Sequence, residues 1–146
     1  MEQNMTLKIR TLSFDQTGSG TKEELTLPAV LCIDGDRYRL SYRQCEEDGA
    51  RTETVICFEK GDPCVVTMEQ AGARGCFMRF APGKRHAGEY RVAGLPTFPF
   101  SLSVRAVENA LGAGGGRLLL DYEMDFGGAR TRLRLSLTAT PDGEVR

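Results

Sequence analysis

The stretch from Leu118 to Leu137 constrains the fold most. Taking Gly127-Gly128 as a two-residue loop places Asp125 opposite Arg130, Glu123 opposite Arg132 and Asp121 opposite Arg134 on one face. The other face then pairs Met124 with Thr131, Tyr122 with Leu133, Leu120 with Leu135 and Leu118 with Leu137. An antiparallel hairpin separates charge from carbon in this way, and a slip of one residue would turn the charges into the core. Asp121, Glu123 and Asp125 resemble clustered catalytic acids, but each has a basic partner. They read instead as a solvent-facing ladder, each pair worth ~0.2–1 kcal/mol.

The same period of two runs through nearly the whole chain, with no long helical repeat. Eight to ten short strands are predicted, with approximate spans 5–14, 23–34, 37–44, 51–59, 63–69, 74–80, 86–93, 97–108, 117–126 and 129–139. Seventeen glycines fall mostly between them, as tight turns require. A hairpin turning at Gly35-Asp36 pairs Ile33 with Tyr38, Leu31 with Leu40 and Ala29 with Tyr42 on one face. A third is expected near Ala71-Gly72, with Glu69 opposite Arg74. The first strand changes phase from Leu7 and Ile9 to Leu12 and Phe14, which predicts a bulge near Arg10-Thr11. Pro28, Pro96 and Pro99 imply edges or bulges, because proline cannot donate to the ladder. Regular short strands without a composition shift predict one all-β domain over 1–146, an antiparallel meander barrel of eight to ten strands.

Composition narrows function mainly by exclusion. Nineteen basic and twenty acidic residues are closely interleaved, and a pI near 5.9 argues against a nucleic-acid partner. Lys84-Arg85-His86 reads as a solvated turn. The first residues, Met1-Glu2-Gln3-Asn4-Met5, lack the regions of a signal peptide, and no apolar run reaches the ~18–20 residues of a membrane span, so a cytoplasmic protein is expected. Cys32, Cys45, Cys57, Cys64 and Cys76 are odd in number and form no CxxC pair, which predicts reduced, structural cysteines and no metal site. His86 is the single histidine, expected on the surface. The Gly112-Ala113-Gly114-Gly115-Gly116 run lacks the helix and the Lys-Ser/Thr pair of a phosphate loop, and reads as a mobile connection.

With the strands in place, a family pattern emerges. Leu40-Ser41-Tyr42, Thr54-Val55-Ile56, Val65 to Met68 with Gly72, and Met78-Arg79-Phe80 with Gly83 and Tyr90 run in order. Gly116-Arg117-Leu118 through Tyr122 and Met124, then Leu133, Leu135 and Leu137, close it. The chain resembles the bacterial DUF1934, or YwiB-like, family over nearly its whole length. Departures are the proline-bearing segment Arg91 to Pro96, and Val104 where a threonine is more usual. The resemblance implies a lipocalin-like (calycin) antiparallel barrel and a source such as a Gram-positive bacterium. It implies no activity.

Tyr38, Tyr42, Tyr122 and Phe100 fall on the inward phase, and Tyr90 and Phe80 are expected there. An eight-stranded barrel interior either fills with side chains or holds one small ligand. Tyr38, Tyr42, Tyr90 and Tyr122 are the candidate ligand hydroxyls, with Arg79 as a candidate anchor for an anion, although its alternation with Met78 and Phe80 favours an outward side chain. No catalytic residue or cofactor is expected, since no set of titratable groups converges. The leading expectation is a non-catalytic barrel binding a small molecule in its interior. The alternative is a protein-interaction or homodimerising module with a filled core.

Overall fold

The computed structural model describes residues 1–142; of the single domain expected over 1–146, residues 143–146 lie outside the described residues. Ten strands form, the upper end of the expected eight to ten, one at each expected span: β1 Glu2–Phe14, β2 Gly20–Asp34, β3 Arg37–Cys45, β4 Arg51–Glu59, β5 Asp62–Gly72, β6 Arg74–Phe80, β7 Arg85–Val92, β8 Phe98–Asn109, β9 Gly116–Phe126 and β10 Ala129–Pro141. They make one closed antiparallel meander barrel, β1 pairing with β10 as well as with β2.

Two hairpins adopt the registers that residue spacing dictates. Asp125, Glu123 and Asp121 lie across from Arg130, Arg132 and Arg134. Gly127 and Gly128 both take positive φ, 59° and 98°, the mirror-image turn that suits the twist of paired strands. At the other hairpin Ile33, Leu31 and Ala29 face Tyr38, Leu40 and Tyr42. The ion pairs differ from the expected ladder. Arg132 leans diagonally to Asp121 (Nη2–Oδ2 3.1 Å, Nε–Oδ1 3.3 Å) and leaves Glu123, while Arg134 approaches the same carboxylate at 3.8 Å. Asp121 is 11% exposed in its side chain, so two guanidinium groups converge on a mostly buried acid. Asp125–Arg130 (3.5 Å) and, more loosely, Asp121–Arg134 (3.8 Å) keep the straight pairing as ion pairs; Glu123–Arg132 does not.

Three expectations about irregularities are corrected. Glu69 pairs with Phe77, not Arg74, because β5 stays extended to Gly72 and the turn falls three residues later than expected in summed register. β1 has no bulge. Its pairing with β2 and β10 runs unbroken to Phe14, and Leu12 and Phe14 occupy the outer face of the ribbon, where the Phe14 ring covers Gly20. The glycine run before β9 is a tied turn: Gly112 and Gly115 exchange backbone hydrogen bonds of 3.0 and 2.9 Å, and Ala110 N–H donates to the Arg117 carbonyl at 2.9 Å. Pro28 and Pro99 are each paired on one side only, since β2 pairs with β3 only from Ala29 onward and β8 with β9 only from Ser101, whereas Pro96 lies in the connection between β7 and β8.

Leu7, Leu31, Leu40, Ile56, Val66, Phe80, Leu102, Leu118, Leu120 and Leu137 are fully buried and line the inside of the barrel from nearly every strand. Phe80 meets Tyr122 edge-on across it, ring centroids 4.9 Å apart. One mouth is capped by Leu111 and Ala81. Asn109 ties the strands below this cap by donating to the Pro63 carbonyl (2.9 Å) while its side-chain oxygen accepts from Leu111 N–H (3.0 Å).

Two outcomes follow from this arrangement. Gly116 has φ 132°, and a Cβ there would lie 2.1 Å from the Ala110 carbonyl oxygen; Gly116→Ala is expected to lower unfolding free energy by about 1–3 kcal/mol, measured by urea titration. Asp121→Asn is expected to lower the urea midpoint clearly, whereas Glu123→Gln leaves it unchanged; equal effects would contradict the diagonal pairing.

Candidate functional site

The inward rows of the barrel change character along its axis. Toward the capped mouth, Tyr38, Phe58, Val66 and Phe80 form one cross-strand row, and Leu40, Ile56, Met68 and Met78 the next. Toward the opposite mouth the row becomes Tyr42, Thr54, Gln70 and Cys76, followed by Gln44, Thr52 and Gly72. A greasy wall thus gives way to neutral polar groups on β3 to β6. Tyr122 reaches this layer from β9 on the facing wall, close enough for its titration to sense both Cys76 and Tyr42.

The layer is incompletely satisfied. Thr54 is fully buried and Thr52 is 4% exposed, yet neither hydroxyl has a hydrogen-bond partner among the described residues; Gln3 Oε1, at the other end of the barrel, is in the same condition. Thr54 lies near enough to lower the Tyr42 phenol somewhat, against the stronger upward push of burial, but outside hydrogen-bonding geometry. Cys76 Sγ donates a weak bond of 3.5 Å to Gln70 Oε1. Burial holds the Cys76 thiol and the Tyr122 phenol above their ordinary values, so both are neutral at pH 7.

Beside this layer the barrel wall is thin. Backbone pairing between β6 and β7 covers only Arg74–Val92 and Gly75–Arg91. Farther along, the Phe77 carbonyl accepts from His86 Nε2 (3.0 Å), a side chain standing where a ladder bond would otherwise lie. His86 packs edge-on against Phe77 and faces Phe100, whose ring lies against Gly88. A groove of about 500 Å³ runs over this seam, lined by Gln70, Cys76, Phe77, His86, Ala87 and Gly88, with Glu69, Glu89 and Arg91 at its rim. Smaller grooves of about 350 and 360 Å³ lie elsewhere, one over Cys57, Val65 and Thr67, the other over Pro28, Val30 and Ser41.

The structure brings together two of the five expected site residues, Tyr42 and Tyr122. Tyr38 stacks on Phe58 two rows away (5.1 Å, 17°). Tyr90 lies at the open mouth, edge-on to Phe126 (6.2 Å). Arg79 is exposed on the outer face across from Thr67 and cannot serve the interior, as its alternation with core residues dictates. His86 is half-buried in the seam rather than on the open surface. Of the cysteines, all free, only Cys76 is buried; Cys45 and Cys64 are exposed. Thr52, Thr54, Gln70 and Cys76 were missed as a set, although Thr52 and Thr54 continue the inward phase of Ile56 and Phe58, which was the available signal. Among the described residues no group of three or more His, Cys, Asp or Glu is placed to hold a metal ion.

A family model described as "Domain of unknown function (DUF1934)" matches residues 7–135. Among solved structures, the YwiB protein from Bacillus subtilis superposes with a TM-score of 0.84 at 18% identity, over 96% of this chain and 92% of that one. That likeness shows the ten-stranded barrel fold. No curated protein matches the sequence.

The raised Tyr122 phenol has a pH consequence. Its folded value lies above the unfolded value of about 10, so the stabilisation is complete below pH ~10 and is lost progressively as pH rises above it. Tyr122→Phe is expected to flatten the alkaline fall of the urea midpoint, and ultraviolet absorbance should show tyrosinate from Tyr122 only on unfolding.

Proposed function

The chain belongs to the DUF1934 family, and from that premise we propose that it is a non-catalytic, calycin-type barrel that binds one small molecule through the β6–β7 seam. The observation that carries this reading is the lapse of backbone pairing after Gly75–Arg91, directly under the 500 Å³ groove that opens onto Gln70 and Cys76. Filled hydrophobic rows speak against a ligand along the barrel axis, and Arg79 is no anchor for one. Side-wall access suits the geometry better. Five free cysteines fit a reducing cytoplasm. The outer face carries Arg10, Glu24, Arg43, Glu53, Glu69 and Arg79, charges that would be costly against lipid.

A second reading, a homodimer, is favoured by the open mouth, where exposed Phe98 and Phe126 flank Tyr90. Light scattering would show a dimer that Phe126→Ser returns to monomer.

For the seam, the test is Ala87→Trp, which fills the groove from an exposed position. Native mass spectrometry and thermal shift against a panel of neutral, anionic and cationic metabolites should show binding to the wild type and its loss in Ala87→Trp at unchanged circular dichroism. Equal binding by the two proteins, or none by the wild type, would sink the seam reading.

A further inference from the structure

We propose that the part of the ligand entering the barrel is uncharged, flat and hydrogen-bonding, of the amide or nucleobase-heterocycle class, and that it is held by the Thr52 and Thr54 hydroxyls. This deepens the seam reading and rests on it. Two threonine hydroxyls more than nine-tenths buried without partners are costly on their own, because a buried unmade hydrogen bond forfeits the full desolvation of the group. Replacing either side chain by valine would conserve shape and remove that cost, so the hydroxyls are expected to have a use that the unliganded chain does not show.

The surroundings set the chemical class. Thr54 lies between Tyr42 on β3 and Gln70 on β5, with Cys76 beyond Gln70 and Tyr122 facing the row. None of these groups is ionised near neutral pH, and a buried charge without a counter-charge would be strongly disfavoured. Hydroxyls and a carboxamide both donate and accept, which matches the alternating donors and acceptors of an amide or heterocycle edge. Flatness follows from the route, between β6 and β7 where their backbone pairing lapses, which favours a thin group over a bulky one. Gln70 is the gate. It stands between Thr54 and Cys76 in the row and lines the groove, and its only side-chain bond is the weak 3.5 Å contact from the Cys76 thiol, so an entering amide displaces it at little cost.

The test uses uracil and nicotinamide as neutral probes and orotate as the anionic control. Binding is followed by backbone and threonine-methyl chemical shifts in the wild type, Thr54→Val, Thr52→Val and Ala87→Trp. The neutral probes are expected to shift the Thr52, Thr54 and Gln70 signals, orotate is expected to leave them in place, and each valine variant is expected to bind about tenfold more weakly, the worth of one hydrogen bond. Without probe, the valine variants should melt no lower than the wild type. Absence of shifts from both neutral probes, or valine variants that bind normally, overturns the proposal. So does a loss of melting temperature in both valine variants, which would assign the hydroxyls to an internal water. If Ala87→Trp abolishes binding while the valine variants do not, the seam stands and the neutral class falls. If the valine variants lose binding while Ala87→Trp keeps it, the hydroxyl site stands and the seam falls.

Discussion

Every strand of a closed barrel must satisfy its backbone on both sides, and the ladder between β1 and β10 makes this possible here. Ten residue pairs from Met5–Pro141 to Phe14–Arg132 join the first strand to the last and remove the edges that an open meander would leave. Closure then dictates which side chains share the interior, because alternate residues on all ten strands must face one enclosed space. The fully buried residues, from Leu7 through Leu40 and Ile56 to Leu137, occupy that space from around the whole ring. The polar row on β3 to β6 is the exception. It exists because Thr52, Thr54, Gln70 and Cys76 hold inward positions that residues such as Ile56 and Met68 hold one row away.

Closure is also uneven. β6 and β7 are neighbours with two paired positions, and His86 rather than a backbone amide holds the Phe77 carbonyl. A side chain can leave such a position without unzipping a ladder, so the seam is the part of the wall with the least cooperative hold. The thin wall and the unsatisfied hydroxyls occur in the same half of the barrel. A filled core is therefore compatible with the proposed binding function, in which entry is from the side instead of along the axis.

Strand positions were legible in the sequence because alternation and glycine turns are local signals. All ten strands fall close to their expected spans, and the Gly127-Gly128 and Gly35-Asp36 registers follow from turn length alone. What was illegible depended on distance. Glu69 lost its expected partner because β5 continues to Gly72 to pair with Thr52 of β4, a contact that the β5–β6 turn itself does not announce. Arg132 abandons Glu123 because a mostly buried carboxylate two residues away binds a guanidinium more strongly than a more exposed one. The site was half legible for the same reason. Inward tyrosines can be found by phase, but which of them share a row depends on registers across four strands, and a missing backbone pair leaves no mark on composition.

The weak seam has a second face. Strands that do not bond each other present unpaired amides and carbonyls, and the β6 stretch Cys76-Phe77-Met78-Arg79-Phe80 carries an exposed Phe77 (45%) beside them. In another chain's company, that is a template for edge-to-edge association and aggregation. Arg79 inside the segment, with Lys84 and Arg85 just after it, puts like charges where a second copy would have to align. The outward-facing arginine thereby acquires a physical reason for its place: it guards the thinly paired seam.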